Sequence, residues 1–121
     1  MKTLTDRVAA ITGAGSGIGR ALAVNMAAKG CHLALSDVNE QGLQETAKLI
    51  ADKDVKVTTH IVDVANREQV YQYADDVVKQ HGRVNIIINN AGVGVGDSLE
   101  EVSYEDYCYF RERCREFSRA I

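Results

Sequence analysis

Residues 8–19 read VAAITGAGSGIG, and this stretch decides the fold. The mostly apolar run Val8–Thr12 predicts a buried strand that stops at Gly13. Helical spacing of apolar residues follows over residues 18–29, with Ile18, Ala21, Leu22 and Met26 on the predicted inner face. A glycine-rich turn between a strand and a helix lets the backbone approach a diphosphate, whose charge the helix N-terminus stabilises. The alternative explanation is an ordinary glycine turn.

The glycine spacing is TGxxxGxG, because position 18 is Ile where the stricter GxGxxG pattern needs a third glycine. In this pattern one glycine makes the turn, one lets the backbone approach the ligand, and the last lets the helix lie close to the sheet. The predicted dinucleotide contacts in the loop are Gly13, Gly15, Ser16, Gly17, Ile18 and Gly19.

Strand-sized and helical patterns continue to alternate after this unit. Gly30 is a predicted helix stop, Asn39 a helix cap, and Asn66 with Gln69 a capping box before a helix that ends at Gly82. The further predicted elements are strand 32–36, a helix from 39 to about 53, strand 55–63, a helix after 66 and strand 84–88. This alternation predicts an α/β fold of the Rossmann type, a doubly wound parallel sheet with strand order 3-2-1-4.

Composition excludes several classes of protein. The 121 residues carry a net charge of −3 with a pI near 5.6, so a general nucleic-acid surface is not expected. The odd set Cys31, Cys108 and Cys114 contains no CxxC pair, which disfavours disulfide scaffolds and zinc ribbons. The three histidines lack metal-ligand spacing, and we expect no metal. No apolar run is long enough for a membrane span, and a cytoplasmic protein is predicted.

Asp37 ends the second predicted strand, about 20 positions after the glycines, where a dinucleotide site needs an acidic residue. Its carboxylate is expected to accept hydrogen bonds from the adenosine ribose and to repel a 2′-phosphate, which favours NAD over NADP. A turn or cap before Asn39 is the alternative role. Arg20, the basic residue near the loop, is expected on the exposed face of its helix.

These residues resemble the short-chain dehydrogenase/reductase family. The resemblance covers about residues 5–107 and is carried by the segment 12–19, Asp37, Asp63-Val64 and the segment NNAG at 89–92. It implies that Asp63 and Val64 hold the adenine, and that Asn90 contacts the nicotinamide-side ribose and steadies the sheet. A helix cap at Asp63 and an Asx turn at Asn89-Asn90 are the alternatives.

The resemblance implies an NAD(P)-dependent oxidoreductase acting on a small alcohol or carbonyl substrate. The family moves the hydroxyl proton with a Tyr followed four residues later by a Lys. None of the five tyrosines here is followed by Lys at the fourth position. The residues at that position are Asp75, Val77, Cys108, Arg111 and Arg113. We therefore predict no catalytic residue in this chain and a truncated member that provides the dinucleotide-binding half. A non-catalytic nucleotide-binding or dimerisation module derived from the family is the alternative.

The predicted organisation is one domain with a Rossmann segment at residues 1–106 and a divergent helical tail at 107–121. Apolar residues of the tail follow helical spacing at Tyr107, Phe110, Cys114, Phe117 and Ile121. This face either packs on the sheet or joins two copies. An unpaired edge of the fourth strand would also promote association, so a homo-oligomer is expected.

Overall fold

A computed structural model describes residues 4–90 of the chain. In this part strands and helices alternate, as the sequence predicts, and the first strand has the predicted bounds. The elements are β1 Val8–Thr12, α1 Gly17–Ala28, β2 His32–Asp37, α2 Glu40–Leu49, β3 Val57–Ile61, α3 Arg67–His81 and β4 Ile86–Ile88. The predicted tail helix and the glycine-rich segment after Asn90 lie outside the described residues.

The strands form one parallel sheet of order β3-β2-β1-β4, which confirms the predicted Rossmann-type topology. Thr12 pairs with Ser36, and Ser36 pairs with His60. On the other side of β1, Ile11 pairs with Ile88. This register brings the carboxyl ends of all the described strands to one edge of the sheet, where open α/β sheets bind ligands.

Both faces of the sheet are buried under helices. Ile11, Leu33 and Leu35 point to the face covered by α1 and α2, and all of them are fully buried. Ala10 of β1 and Ala34 of β2 point to the other face, which α3 covers with Val77 and Tyr73. The Tyr73 hydroxyl donates to the Ala34 carbonyl over 2.8 Å. The middle residues of β1 and β2 are apolar because neither face of these strands meets water.

Asparagine side chains cap the starts of α2 and α3, and a glycine ends α3, where the sequence predicts. Asn39 caps α2 by accepting from the Gly42 N–H over 3.1 Å, and Asn66 caps α3 by accepting from the Gln69 N–H over 3.2 Å. Gly82 ends α3 in the left-handed conformation, with φ of 81°. These contacts satisfy backbone groups that a helix leaves unpaired at its ends.

Three elements differ from the predicted bounds by two residues or more. Helix α2 ends at Leu49 rather than near residue 53. The Ile50 side chain is buried and anchors a turn, and the polar residues 52–54 that follow are exposed. Strand β3 spans Val57–Ile61 only. Strand β4 begins at Ile86, since the Asn85 side chain accepts the Val8 N–H over 2.9 Å.

None of the helices within residues 4–90 is long and apolar enough to cross a membrane. In the same part of the chain, no group of three or more His, Cys, Asp and Glu residues is arranged to hold a metal ion.

Two histidines, His60 of β3 and His81 at the end of α3, share the hydroxyl group of Thr58. The Thr58 hydroxyl lies 2.9 Å from Nε2 of His60 and 2.8 Å from Nε2 of His81. Burial, and after it the positive charges of Lys56, His60 and His32, lower the pKa of His81 to about 4. Burial also lowers the pKa of His60, against the opposing attraction of Asp76. Both imidazoles are therefore neutral in the folded protein at neutral pH.

We expect the free energy of unfolding to fall as the pH drops from about 6.5 to about 4, because the unfolded chain then binds a proton at residue 81 that the folded chain does not. The variant His81→Asn should lose less stability over this interval than the wild type. Urea unfolding at pH 7.5, 5.5 and 4.5, with each protein referred to its own value at pH 7.5, measures the difference. Parallel curves for the two proteins would contradict this role of His81.

Candidate functional site

The loop between β1 and α1 lies at the carboxyl edge of the sheet, beside the point where the strand order reverses between β1 and β4. Gly13 and Gly17 adopt positive φ angles of 66° and 55°, which side chains other than glycine rarely adopt. Ser16 precedes α1 as its N-cap, and within the described residues its side chain makes no capping hydrogen bond. The first N–H groups of α1 have no intrahelical acceptor and are available to an anion.

Gly19 brings the first turn of α1 against the end of β1. A Cβ atom at this position would lie 2.1 Å from the Gly13 carbonyl oxygen and 2.9 Å from Nδ2 of Asn90. Backbone atoms cannot give way to such an overlap without moving the helix. The third glycine of the predicted motif is therefore required by close packing of helix and strand.

Asp37 ends β2 directly beside the loop. Its Oδ2 accepts the Gly15 N–H over 2.9 Å, and its Oδ1 accepts the Asn39 N–H over 3.1 Å. A Cβ at residue 15 would lie 2.8 Å from Oδ2. The bond to Asn39 is the turn contact given above as the alternative role of Asp37. The bond to Gly15 also places the carboxylate against the glycine loop.

Asp63 and Val64 follow β3 at the same edge. The exposed Asp63 accepts the Ala65 N–H over 3.0 Å at Oδ1, while the Val64 side chain is buried under α3. The predicted capping box at Asn66 takes a different form, because Gln69 accepts the Asp63 N–H over 2.8 Å. Gln69 therefore fixes the backbone at the end of β3, a contact that the sequence analysis did not assign.

Asn90 follows β4 and joins it to β1. Its backbone N–H donates to the Thr12 hydroxyl over 2.9 Å, and its Nδ2 donates to the Gly13 carbonyl over 3.3 Å. Asn89 lies within 3.4 Å of the same Thr12 hydroxyl. These contacts hold the ends of the two strands together beside the glycine loop.

Two expectations for α1 are wrong. Ile18 is 66% exposed and Ala21 is also exposed, so neither lies on the inner face; Met26 is buried as predicted, together with Gly19, Ala23 and Ala27. Arg20 is not on an exposed face: its guanidinium is half-buried and donates to the Gly15 carbonyl over 2.6 Å and to the Thr46 hydroxyl over 2.9 Å.

Sequence reasoning missed Thr46 and Gly42 of α2, which touch the loop. The fully buried Thr46 hydroxyl donates to the Ala14 carbonyl over 2.8 Å. A Cβ at Gly42 would lie 2.6 Å from the Gly15 carbonyl oxygen. Glycine destabilises the interior of a helix, so a glycine inside a predicted helix often indicates close approach of another backbone. Gly42 in α2 was such a signal.

The family profile described as short chain dehydrogenase matches residues 7–109. The putative oxidoreductase SadH of Mycobacterium tuberculosis is 43% identical over 106 residues, which are 88% of this chain and 38% of that protein. The chain belongs to the short-chain dehydrogenase family.

Solved structures of the family superpose on the chain. L-sorbose reductase from Gluconobacter frateurii, complexed with NADPH and L-sorbose, has a TM-score of 0.83 at 30% identity and covers 98% of this chain. A short-chain dehydrogenase/reductase from Burkholderia phymatum in complex with NAD has a TM-score of 0.74 at 36% identity and covers 99% of this chain. The match spans 49% and 44% of those two chains, so the present chain corresponds to about half of each.

The close contact at Gly19 predicts that Gly19→Ala lowers the free energy of unfolding by about 3 kcal/mol, because helix and strand must separate to admit a methyl group. Gly17→Ala is the matched control: its added methyl meets nothing within 4 Å, and only the positive φ costs about 1 kcal/mol. Urea unfolding followed by circular dichroism gives both values. Equal losses in the two variants would contradict the packing role of Gly19.

Proposed function

We propose that this chain supplies the cofactor-binding part of an NAD-dependent oxidoreductase that acts on an alcohol or carbonyl compound. In this proposal the loop 13–19 binds the diphosphate and Asp37 binds the adenosine ribose. Asp63 and Val64 hold the adenine, and Asn90 lies on the nicotinamide side. One observation carries the proposal: the Asp37 carboxylate lies against the glycine loop, 2.9 Å from the Gly15 N–H.

The loop has the chemistry that a diphosphate needs. Ser16, Gly17 and Ile18 are exposed, and they lie where the positive end of the α1 dipole meets the unpaired N–H groups of its first turn. A Cβ at Gly17 would meet no atom within 4 Å, so the space beside the loop is open. Open space, N–H donors and the helix dipole together fit an anionic group at this position.

The Asp37 carboxylate retains acceptor capacity for a ribose. A carboxylate offers about four lone-pair positions, and the N–H groups of Gly15 and Asn39 occupy one on each oxygen. Two ribose hydroxyls can therefore donate to the remaining positions. A 2′-phosphate would meet the negative charge at short range, which supports NAD rather than NADP.

The two superposed relatives bear different cofactors, NADPH in one and NAD in the other, so their likeness alone does not choose between them. The charge of Asp37 is what supports NAD in this chain. When bound, NAD supplies the hydride acceptor at its nicotinamide ring. The residues of this chain bind and orient the dinucleotide, while no Tyr-x-x-x-Lys pair occurs among the 121 residues.

We expect the chain to bind NADH more tightly than NADPH, and Asp37→Asn to weaken NADH binding by about tenfold while changing NADPH binding little. The amide keeps the size of the side chain but removes the charge that favours ribose hydroxyls and opposes a 2′-phosphate. Such a loss corresponds to about 1.4 kcal/mol. Fluorescence titration of the purified chain with each reduced cofactor measures the change.

Asp52→Asn is the matched control, because Asp52 is exposed, follows α2 at the opposite edge of the sheet and changes the net charge equally. It should leave both dissociation constants within about twofold of the wild type. Equal weakening of NADH and NADPH by Asp37→Asn would remove Asp37 from the ribose site. Absence of any NADH signal from the wild type at millimolar ligand would overturn the proposed function itself.

A further inference from the structure

Three successive carbonyl groups of the glycine loop accept hydrogen bonds from side chains, namely those of Gly13, Ala14 and Gly15. In the same order, the donors are Asn90, Thr46 and Arg20. Each donor comes from a different part of the fold: the end of β4, helix α2 and helix α1. The shape of the loop is therefore set by tertiary contacts as well as by its glycines.

The direction of each carbonyl fixes the direction of the next N–H, because the two point in opposite directions across a planar trans peptide. Arg20 draws the Gly15 carbonyl toward α2 with a 2.6 Å hydrogen bond. The N–H of Ser16 must then point away from α2. Ser16 is exposed and immediately precedes α1, at the position where the proposed diphosphate binds.

Arg20 and Thr46 form one connected hydrogen-bond network. Nε of Arg20 donates to the Thr46 hydroxyl over 2.9 Å, and that hydroxyl donates in turn to the Ala14 carbonyl over 2.8 Å. Nη2 of Arg20 also lies 3.2 Å from the Gly42 carbonyl. Thr46 is fully buried, and hydrogen bonds in such a low-dielectric site are stronger than those in water.

The same residue, Gly15, joins this network to Asp37 through its two adjoining peptide groups. The Gly15 N–H donates to Asp37 and the Gly15 carbonyl accepts from Arg20. The approach of α2 is so close that a Cβ at Gly42 would overlap the Gly15 carbonyl oxygen at 2.6 Å. A shift of Gly15 would therefore move the diphosphate donors and the ribose carboxylate together.

We propose that Arg20 is a positioning residue, which with Thr46 holds the Gly15 peptide in the orientation that binds the diphosphate. This inference rests on the proposed function, because it concerns affinity for the same dinucleotide. Arg20 acts through the loop backbone and makes no contact with a 2′-phosphate. Its loss lowers the affinity for NADH and NADPH by the same factor and leaves the preference between them unchanged.

The test compares the wild type with Arg20→Met, which keeps a long side chain but no donor. We expect NADH and NADPH to bind about tenfold more weakly, a loss of about 1.4 kcal/mol. In the ligand-free protein the Ala14 and Gly15 amides, which donate to Ser36 and Asp37, should exchange hydrogen faster. Arg20→Lys, which retains the charge and donors in a different geometry, should restore part of the affinity.

Two controls separate positioning from a general loss of stability. Glu45→Gln removes the charge of the exposed carboxylate 3.2 Å from Nη2 of Arg20 but leaves the loop contacts, and it should keep both dissociation constants within about twofold of the wild type. Tyr73→Phe removes a buried hydrogen bond on the opposite face of the sheet. It should lower the unfolding midpoint without changing either dissociation constant.

The outcomes distinguish the two proposals. Tight NADH binding by the wild type with unchanged binding by Arg20→Met overturns the positioning role and leaves the proposed function intact. A loss confined to NADPH also overturns it, because Arg20 would then contact the 2′-phosphate. No NADH binding by the wild type overturns the proposed function. In that case the amide exchange still tests the role of Arg20. Unchanged exchange in Arg20→Met overturns the proposal that Arg20 positions the loop, whereas faster exchange supports that proposal.

Discussion

The contact between Gly19 and the Gly13 carbonyl sets the position of the other groups at the carboxyl edge of the sheet. Because residue 19 has no Cβ, helix α1 starts almost in contact with the strand that precedes it, and its first N–H groups lie above that edge. Strand β1 lies between β2 and β4, so Asp37 and Asn90 arrive on opposite sides of the same loop. A helix displaced from β1 would separate the N–H donors from both.

The loop between β1 and α1 is short in sequence but depends on distant residues for its shape. Its backbone N–H groups at Ala14 and Gly15 donate to Ser36 and Asp37 of β2. Its carbonyl groups accept from α1, α2 and the segment after β4. The glycines make the conformation possible, since they tolerate positive φ and close contact. Hydrogen bonds from neighbouring elements then select one conformation among those that glycine allows.

Much of the fold was predictable because it rests on local patterns. The apolar run of β1, the caps at Asn39 and Asn66 and the left-handed Gly82 each depend on a few adjacent residues, and alternating strands and helices leave few topologies. The inner face of α1 was predicted wrongly at Ile18, since periodicity locates a face only within about one residue and Gly19 fixes it here. The roles of Arg20 and Thr46 had no local signal, because they are 26 residues apart and meet only in the folded chain.

The histidine cluster around Thr58 has a consequence for engineering. Thr58 near the start of β3 and His81 at the end of α3 lie toward the amino edge of the sheet, away from the glycine loop at the carboxyl edge. A substitution for acid tolerance can therefore be confined to His81, at the end of α3. A redesigned variant of this kind would retain every backbone donor of the loop at its original place.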